Sequence, residues 1–240
     1  MDNEKFGLNR RELLGAAALT ATALTLGSGV AAQDTATVPA FTASTELKPL
    51  AFDPARLDGL SERLIRSHWE NNYGGSVRAL AAVKQKLVVA AADSEMPAYL
   101  YNEIKREHLL RNGSVALHEY YFDNLGGNGQ SGANDRTRIA ASFGSFDAWE
   151  TEFRRMAAGL GGGSGWVVLG YNTHNKQLEN FWMGDHAHAP VATLPILVLD
   201  MYEHSYHIDF GAAVANYIDA FMKNVDWETV AGRLAVIPSV

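Results

Sequence analysis

The 240-residue chain contains no cysteine. That excludes a disulfide framework, a thiolate zinc site and an iron–sulfur cluster, so any metal must be held by imidazole and carboxylate. It also lacks any clustered run of Lys and Arg, and its formal net charge is -7. A surface that tracks phosphates needs such clusters, which excludes nucleic acid as a partner. No internal repeat is visible, and no apolar run is long enough to span a bilayer comfortably. What is present is a hydrophobic fraction of 47% with 10% aromatics, ample for a packed globular core.

A charge-free stretch, Gly15 to Gln33, follows Asn9-Arg10-Arg11-Glu12-Leu13-Leu14. It is short and rich in small residues, has no polar face, and ends at Val30-Ala31-Ala32, where small side chains suit a cleavage site. Paired arginines before such a run resemble a twin-arginine signal. We therefore expect residues 1–32 to be a signal peptide, with a periplasmic or otherwise exported mature form that keeps no stable membrane anchor. A frayed amphipathic first helix is the alternative. Residues 33–46, rich in Thr, Ala and Ser, form a connector.

Helical patterning begins near Ser61, a capping residue. Leu64, Ile65 and His68 share one face, so His68 points inward with apolar neighbours. Helix-compatible sequence runs on from Arg78, breaks over Asp93 to Pro97 and resumes, with Asn112-Gly113 as a joint. His118-Glu119 opens a zinc-protease pattern, but Phe122 occupies the second His position and rules it out. Gly127-x-Gly129-x-x-Gly132 lacks the strand-before, helix-after context of a dinucleotide site and reads as a surface loop. Ser145 caps a further helix whose aromatic stripe, Phe146, Trp149, Phe153 and Met156, is core. Val167–Tyr171 and Leu178–Met183 then read as strands around a turn, and a closing helix with a short final one follows His204.

The densest chemistry lies over Pro195 to His207. A branched apolar run, short enough to be a buried strand, ends on Asp200, and His204 follows four residues later. One helical turn there would aim a carboxylate and an imidazole at one point, a pairing that a first-row metal accepts. The alternative is an Asp that caps the next helix beside a surface His. The residues alone thus point to an exported α+β protein with a helical first half, a small antiparallel sheet and four inward candidates, His68, His118, Asp200 and His204. Three imidazoles and one carboxylate suit manganese or iron.

Asp200-Met-Tyr-Glu-His-Ser-Tyr206 resembles the D-x-W-E-H-A-Y signature of the iron/manganese superoxide dismutases. Elsewhere His68-Trp69 with Val77 and Leu80 resembles that family's H-W-x-K-H-H-x-x-Y-V-x-x-L, with Asn72 in place of a His and Ser76 in place of a Tyr. Asn112 to Phe122 resembles N-N-A-x-x-x-N-H plus aromatics, with Ser114 where Gly or Gln is usual and Phe122 for Trp. Gly163-Ser-Gly-Trp166-x-x-Leu169 matches the start of the family's sheet. Asp185-His186 falls where a Gln or His hydrogen-bonds solvent on the metal, and that count favours His186 over His188.

The resemblance, over roughly Lys48 to Leu234, implies a helical hairpin domain over 47–125 and an α/β domain over 126–240 with a three-stranded antiparallel sheet flanked by helices. It implies one iron or manganese ion per subunit on His68, His118, Asp200 and His204, with superoxide dismuted to dioxygen and hydrogen peroxide. Around the metal it places His186, Ser76, Trp166, Glu203 and Tyr206. With Ser76 and Asn72 replacing the usual relay pair, Tyr73 is another candidate proton donor. Glu203 and Tyr206 match residues that reach across a homodimer, Glu203 towards the partner's metal-ligating His. An exported metal-binding protein of this fold with little or no dismutase activity is the alternative.

Overall fold

A computed structural model describes residues 38–238. The expected signal peptide and the first part of the connector lie outside the described residues. The described chain starts with a short 3-10 turn, Pro39–Phe41.

Ser61 caps the first helix, α1 (Glu62–Ser67), with its hydroxyl accepting the Leu64 N–H at 3.1 Å. The helix does not stop at Ser67. It widens into a π segment, His68–Tyr73, and continues as α2 (Gly74–Ala92). In an α-helix a residue five positions on is turned away by about 140°. The wider π turn, in which Gly74 N–H reaches Trp69 O, instead keeps both His68 and Tyr73 buried.

The return helix, α3, runs from Ala98 to Asp123 without interruption. The joint expected at Asn112-Gly113 is therefore absent. The glycine there serves a close approach rather than a bend: a Cβ on Gly113 would lie 1.9 Å from the His186 carbonyl oxygen.

Helix α4 (Ala133–Phe143) was not expected from the sequence. Ile139 is its one buried residue, so no apolar period advertises it. Tertiary contacts hold it instead: the Arg136 guanidinium lies 4.0 Å over the Phe146 ring, and Arg138 donates to the Pro238 carbonyl at 2.6 Å. Helix α5 (Phe146–Gly159) begins at Ser145, whose hydroxyl accepts the Ala148 N–H at 2.9 Å. Phe146, Trp149 and Phe153 are buried on one stripe as expected.

Three strands follow, β1 (Trp166–Asn172), β2 (Gln177–Met183) and β3 (Thr193–Asp200). They form one antiparallel sheet in the order β2-β1-β3. The register sets Trp166 opposite Asp200, bringing the two ends that matter to one edge of the sheet. Residues Ile196 to Asp200 are all buried because α3 and the last helix, Trp227–Val236, pack on β3. That explains why the strand reads as a continuous apolar run rather than an alternation.

After β3 the chain is extended at Tyr202 and tightens into a 3-10 turn, Glu203–Ser205. Helices α6 (His207–Phe210), α7 (Val214–Lys223) and α8 (Trp227–Val236) close the fold. The architecture is α+β: a helical hairpin followed by a three-stranded antiparallel sheet with helices around it. Among the described residues no helix is long and apolar enough to cross a membrane.

Candidate metal centre

Four side chains from three parts of the fold meet at one point. His68 opens the π segment, His118 lies in the last turns of α3, Asp200 ends β3, and His204 sits in the 3-10 turn that follows. The Asp200–His204 pair does converge, though not on a helical turn, because Tyr202 between them is extended (φ -67°, ψ 146°). One donor atom from each of the four lies within 4.8 Å of every other.

Asp200 Oδ2 is 3.1 Å from His68 Nε2, 3.3 Å from His204 Nε2 and 3.6 Å from His118 Nε2. None of these contacts has hydrogen-bond geometry. Those four atoms are half of the eight buried side-chain polar atoms without a hydrogen-bond partner among the described residues. An unpaired buried polar atom costs about 1–3 kcal/mol. Four lone pairs aimed at a common point, rather than at one another, are what a cation would satisfy.

The surroundings of His118, His68 and Asp200 favour the state a metal needs. His118 Nδ1–H donates to the Ser114 carbonyl at 2.7 Å, which leaves the Nε2 lone pair directed inward. Burial pushes the His118 imidazole down to about 3, and burial likewise lowers His68, so both are neutral near pH 7. Burial opposes the charge on Asp200. The neighbouring His204 and His68 together outweigh it and hold the carboxyl well below the usual range. Asp200 Oδ1 accepts the Tyr202 N–H at 2.8 Å, and its backbone carbonyl accepts the Tyr217 hydroxyl at 2.7 Å.

His186 lies beside this cluster, its ring centroid 5.9 Å from that of His118. Trp166, fully buried, donates its indole N–H to His186 Nδ1 at 3.0 Å. Indole is only a donor, so the proton of neutral His186 is on Nε2. Burial lowers the pKa of His186, which favours that neutral form. His188, by contrast, is largely exposed and sits 2.8 Å from Asp185.

The sequence reading overlooked Tyr202. Its ring stacks on His186 (centroids 4.6 Å apart, 10° between planes) and on His204 (5.2 Å, 22°), so it fills the gap between them. Its place as the aromatic of the D-x-W-E-H-A-Y pattern was the available signal.

Ser76 and Ser114 are buried 2.8 Å apart, oxygen to oxygen, and Ser114 Oγ is 3.4 Å from His118 Nδ1. The pair joins α2 to α3 behind the ligand. The Tyr73 ring is 6.3 Å from that of His118, and its hydroxyl donates to Glu119 at 2.9 Å while accepting the Lys48 N–H. Glu203 is exposed. Tyr206 is buried, its hydroxyl accepting the Gly162 N–H at 3.0 Å within the same chain.

A cysteine-free mononuclear site of three imidazoles and one carboxylate, set between a helical hairpin and the end of a small antiparallel sheet, defines a class of proteins that bind a hard-to-borderline redox metal. Residues 131–233 match the family model of the C-terminal domain of iron/manganese superoxide dismutases. The chain is 49% identical over 193 residues to an iron superoxide dismutase of Cupriavidus metallidurans, covering 79% of this chain and 96% of that protein. It is 33% identical over 196 residues to a manganese superoxide dismutase of Haloferax volcanii, covering 79% and 95% respectively. The chain belongs to the iron/manganese superoxide dismutase family.

Proposed function

We propose that the protein dismutes superoxide to dioxygen and hydrogen peroxide at one iron or manganese ion per subunit held by His68, His118, Asp200 and His204. The observation that carries this reading is the convergence of four buried, unpartnered donor atoms in a member of this family. His68, His118, Asp200 and His204 would hold the ion, which would supply the one-electron chemistry between trivalent and divalent states by which one superoxide is oxidised to dioxygen and a second, with two protons, is reduced to hydrogen peroxide. The protein's own contribution is to hold three imidazoles and one carboxylate ready, with His68 and His118 kept neutral by burial. His186 offers an Nε2–H beside them, fixed by Trp166.

Stopped-flow mixing tests this directly. Superoxide decay should become first order in protein loaded with iron or manganese, and chelated protein should leave it at the spontaneous rate. Decay unaffected by fully loaded protein would favour a metal-binding protein without turnover.

The surroundings of this site diverge from the usual pattern. With Ser76 and Asn72 at the relay positions, protons reach the site by groups other than the familiar pair. The Tyr73 hydroxyl, pushed up to about 12 chiefly by burial, remains protonated at neutral pH and is one such group. In this reading a hairpin domain spans residues 47–125 and an α/β domain spans 126–240.

The mature protein is a homodimer in this reading, with Glu203 at the contact and Tyr206, buried with its hydroxyl on Gly162 of its own chain, behind it. Exposure of Glu203 beside the partly exposed His204 leaves it free to reach a second copy. Light scattering at micromolar concentration should give twice the chain mass; a monomer there rules the dimer out.

Residues 1–32 carry the chain out of the cytoplasm by the twin-arginine route. A centre assembled from the hairpin and the far end of a strand exists only in folded chain, so metal enters before export. Changing Arg10 and Arg11 to Lys should leave metal-loaded, uncleaved protein in the cytoplasm. Efficient export of that variant, or its accumulation without metal, would refute the link.

A further inference from the structure

We infer that Gly113 is a positioning residue for His186, the missing side chain on α3 being the seat against which the His186 backbone is held. The inference rests on the reading of His186 as a donor beside the metal. A Cβ on Gly113 would meet three atoms of that one residue: the carbonyl oxygen at 1.9 Å, the carbonyl carbon at 3.0 Å and the Cβ at 3.6 Å. The contact is backbone against backbone, so no flexible side chain can swing away. The same helix carries His118, one turn and a half further on, and Ser114, whose carbonyl holds the His118 imidazole. One rigid element therefore sets both the ligand and its neighbour.

The other side of His186 is held as firmly. Its Nδ1 accepts the Trp166 indole N–H, its ring stacks on Tyr202, and Asp185 Oδ1 closes the loop by accepting the N–H groups of Ala187 at 2.7 Å and His188 at 3.1 Å. Beyond Gly113 the support ends. A largely apolar crevice of about 190 Å³, lined by Leu109, Asn112, Met183 and Pro190 among others, lies between the loop and α3. A Cβ on Gly113 would push the loop away from α3, and the atom that moves first belongs to His186. This explains why a helix-weakening residue stands inside a long helix.

Alanine at 113 forces the His186 carbonyl oxygen back by about 1.5 Å before ordinary contact is restored. A shift of that size at a reacting group costs up to about 100-fold in rate. We expect G113A to keep its full complement of iron or manganese, since none of the four ligands is displaced, while dismutation falls about 10- to 100-fold.

The second measurement is independent of turnover. In protein loaded with diamagnetic zinc, the Trp166 indole proton, assigned by its loss in W166F, should exchange with solvent at least about tenfold faster in G113A, because its acceptor has moved. G75A is the control: Gly75 is also helical, but a Cβ there would meet nothing within 4 Å, so both readouts should stay at wild-type values. In an H186A background, G113A should add no further loss of rate, as required if it acts through His186 alone.

Unchanged indole exchange in G113A, or an equal loss of rate with and without His186, overturns the inference. Should G113A not fold, D185A loosens the loop from its far side and must produce the same faster indole exchange with metal retained; slow exchange there overturns it equally. Wild-type turnover in H186A would instead defeat the role given to His186, with the exchange measurement still deciding the role of Gly113.

Discussion

Replacing Asp200 by Ala is expected to give a folded protein that retains no iron or manganese and dismutes no superoxide. Asp200 Oδ2 lies within 3.6 Å of all three Nε2 atoms and supplies the only negative charge among the four donors. A ligand that binds only the native state stabilises it by about 4 kcal/mol at a thousandfold excess over its Kd. For a chain of this size that corresponds to roughly 8–16 °C in melting temperature. The Asp200→Ala protein should lose that increment entirely. Its metal-free form should stand close to the metal-free wild type, because the substitution removes a buried, unpartnered carboxylate oxygen along with the acceptor for the Tyr202 N–H. Full occupancy by metal analysis in the variant would remove Asp200 from the site.

Acid should dismantle the centre even when metal is withheld. His118 titrates at about 3 in the folded chain, and His68 and His186 are lowered in the same direction, all chiefly by burial. Unfolded, each takes up a proton near pH 6.5. For His118 the unfolded state therefore binds more protons between about pH 6.5 and 3, and its contribution to stability falls with falling pH by about 1.4 kcal/mol per pH unit across that window, with His68 and His186 acting in the same direction. Asp200 has a lowered folded pKa, so its contribution is present above about pH 3.9 and is lost below that value, in the same direction. Bound metal adds to the trend, since protons compete for the same Nε2 atoms. The melting temperature of chelated protein, followed from pH 7 to pH 4, should drop continuously; a flat profile would show that these imidazoles are not held neutral by burial.

Much of the centre could be read before any tertiary information. His68 shares the inward face of Leu64 and Ile65, Asp200 ends a branched apolar run, and Ser61 and Ser145 mark helix starts that the structure uses. Those features are local, and a side chain's own neighbours in sequence specify them. Three others escaped for the converse reason. Helix α4 buries one residue and depends on Arg136 reaching the start of the next helix and Arg138 reaching the far end of the chain at Pro238. Gly113 looked like a helix breaker because its reason, the His186 carbonyl, arrives from a distant loop. Tyr202 was passed over because its value lies in standing between two imidazoles, one of them on that same loop.

By itself the sequence determined which chemistry was open: no thiolate, no phosphate-tracking surface, and imidazoles with a carboxylate on apolar segments suited to manganese or iron. It also carried the paired arginines Arg10 and Arg11 and the charge-free run from Gly15 to Gln33. Only the tertiary structure decided that His68, His118, Asp200 and His204 meet within 4.8 Å with their lone pairs unanswered, and that Trp166 and Gly113 hold His186 beside them. Periodicity tells each helix or strand which face to bury. It says nothing about which other face it will be buried against. That choice comes from long-range packing of the hairpin on β3, and the metal centre is built on that contact.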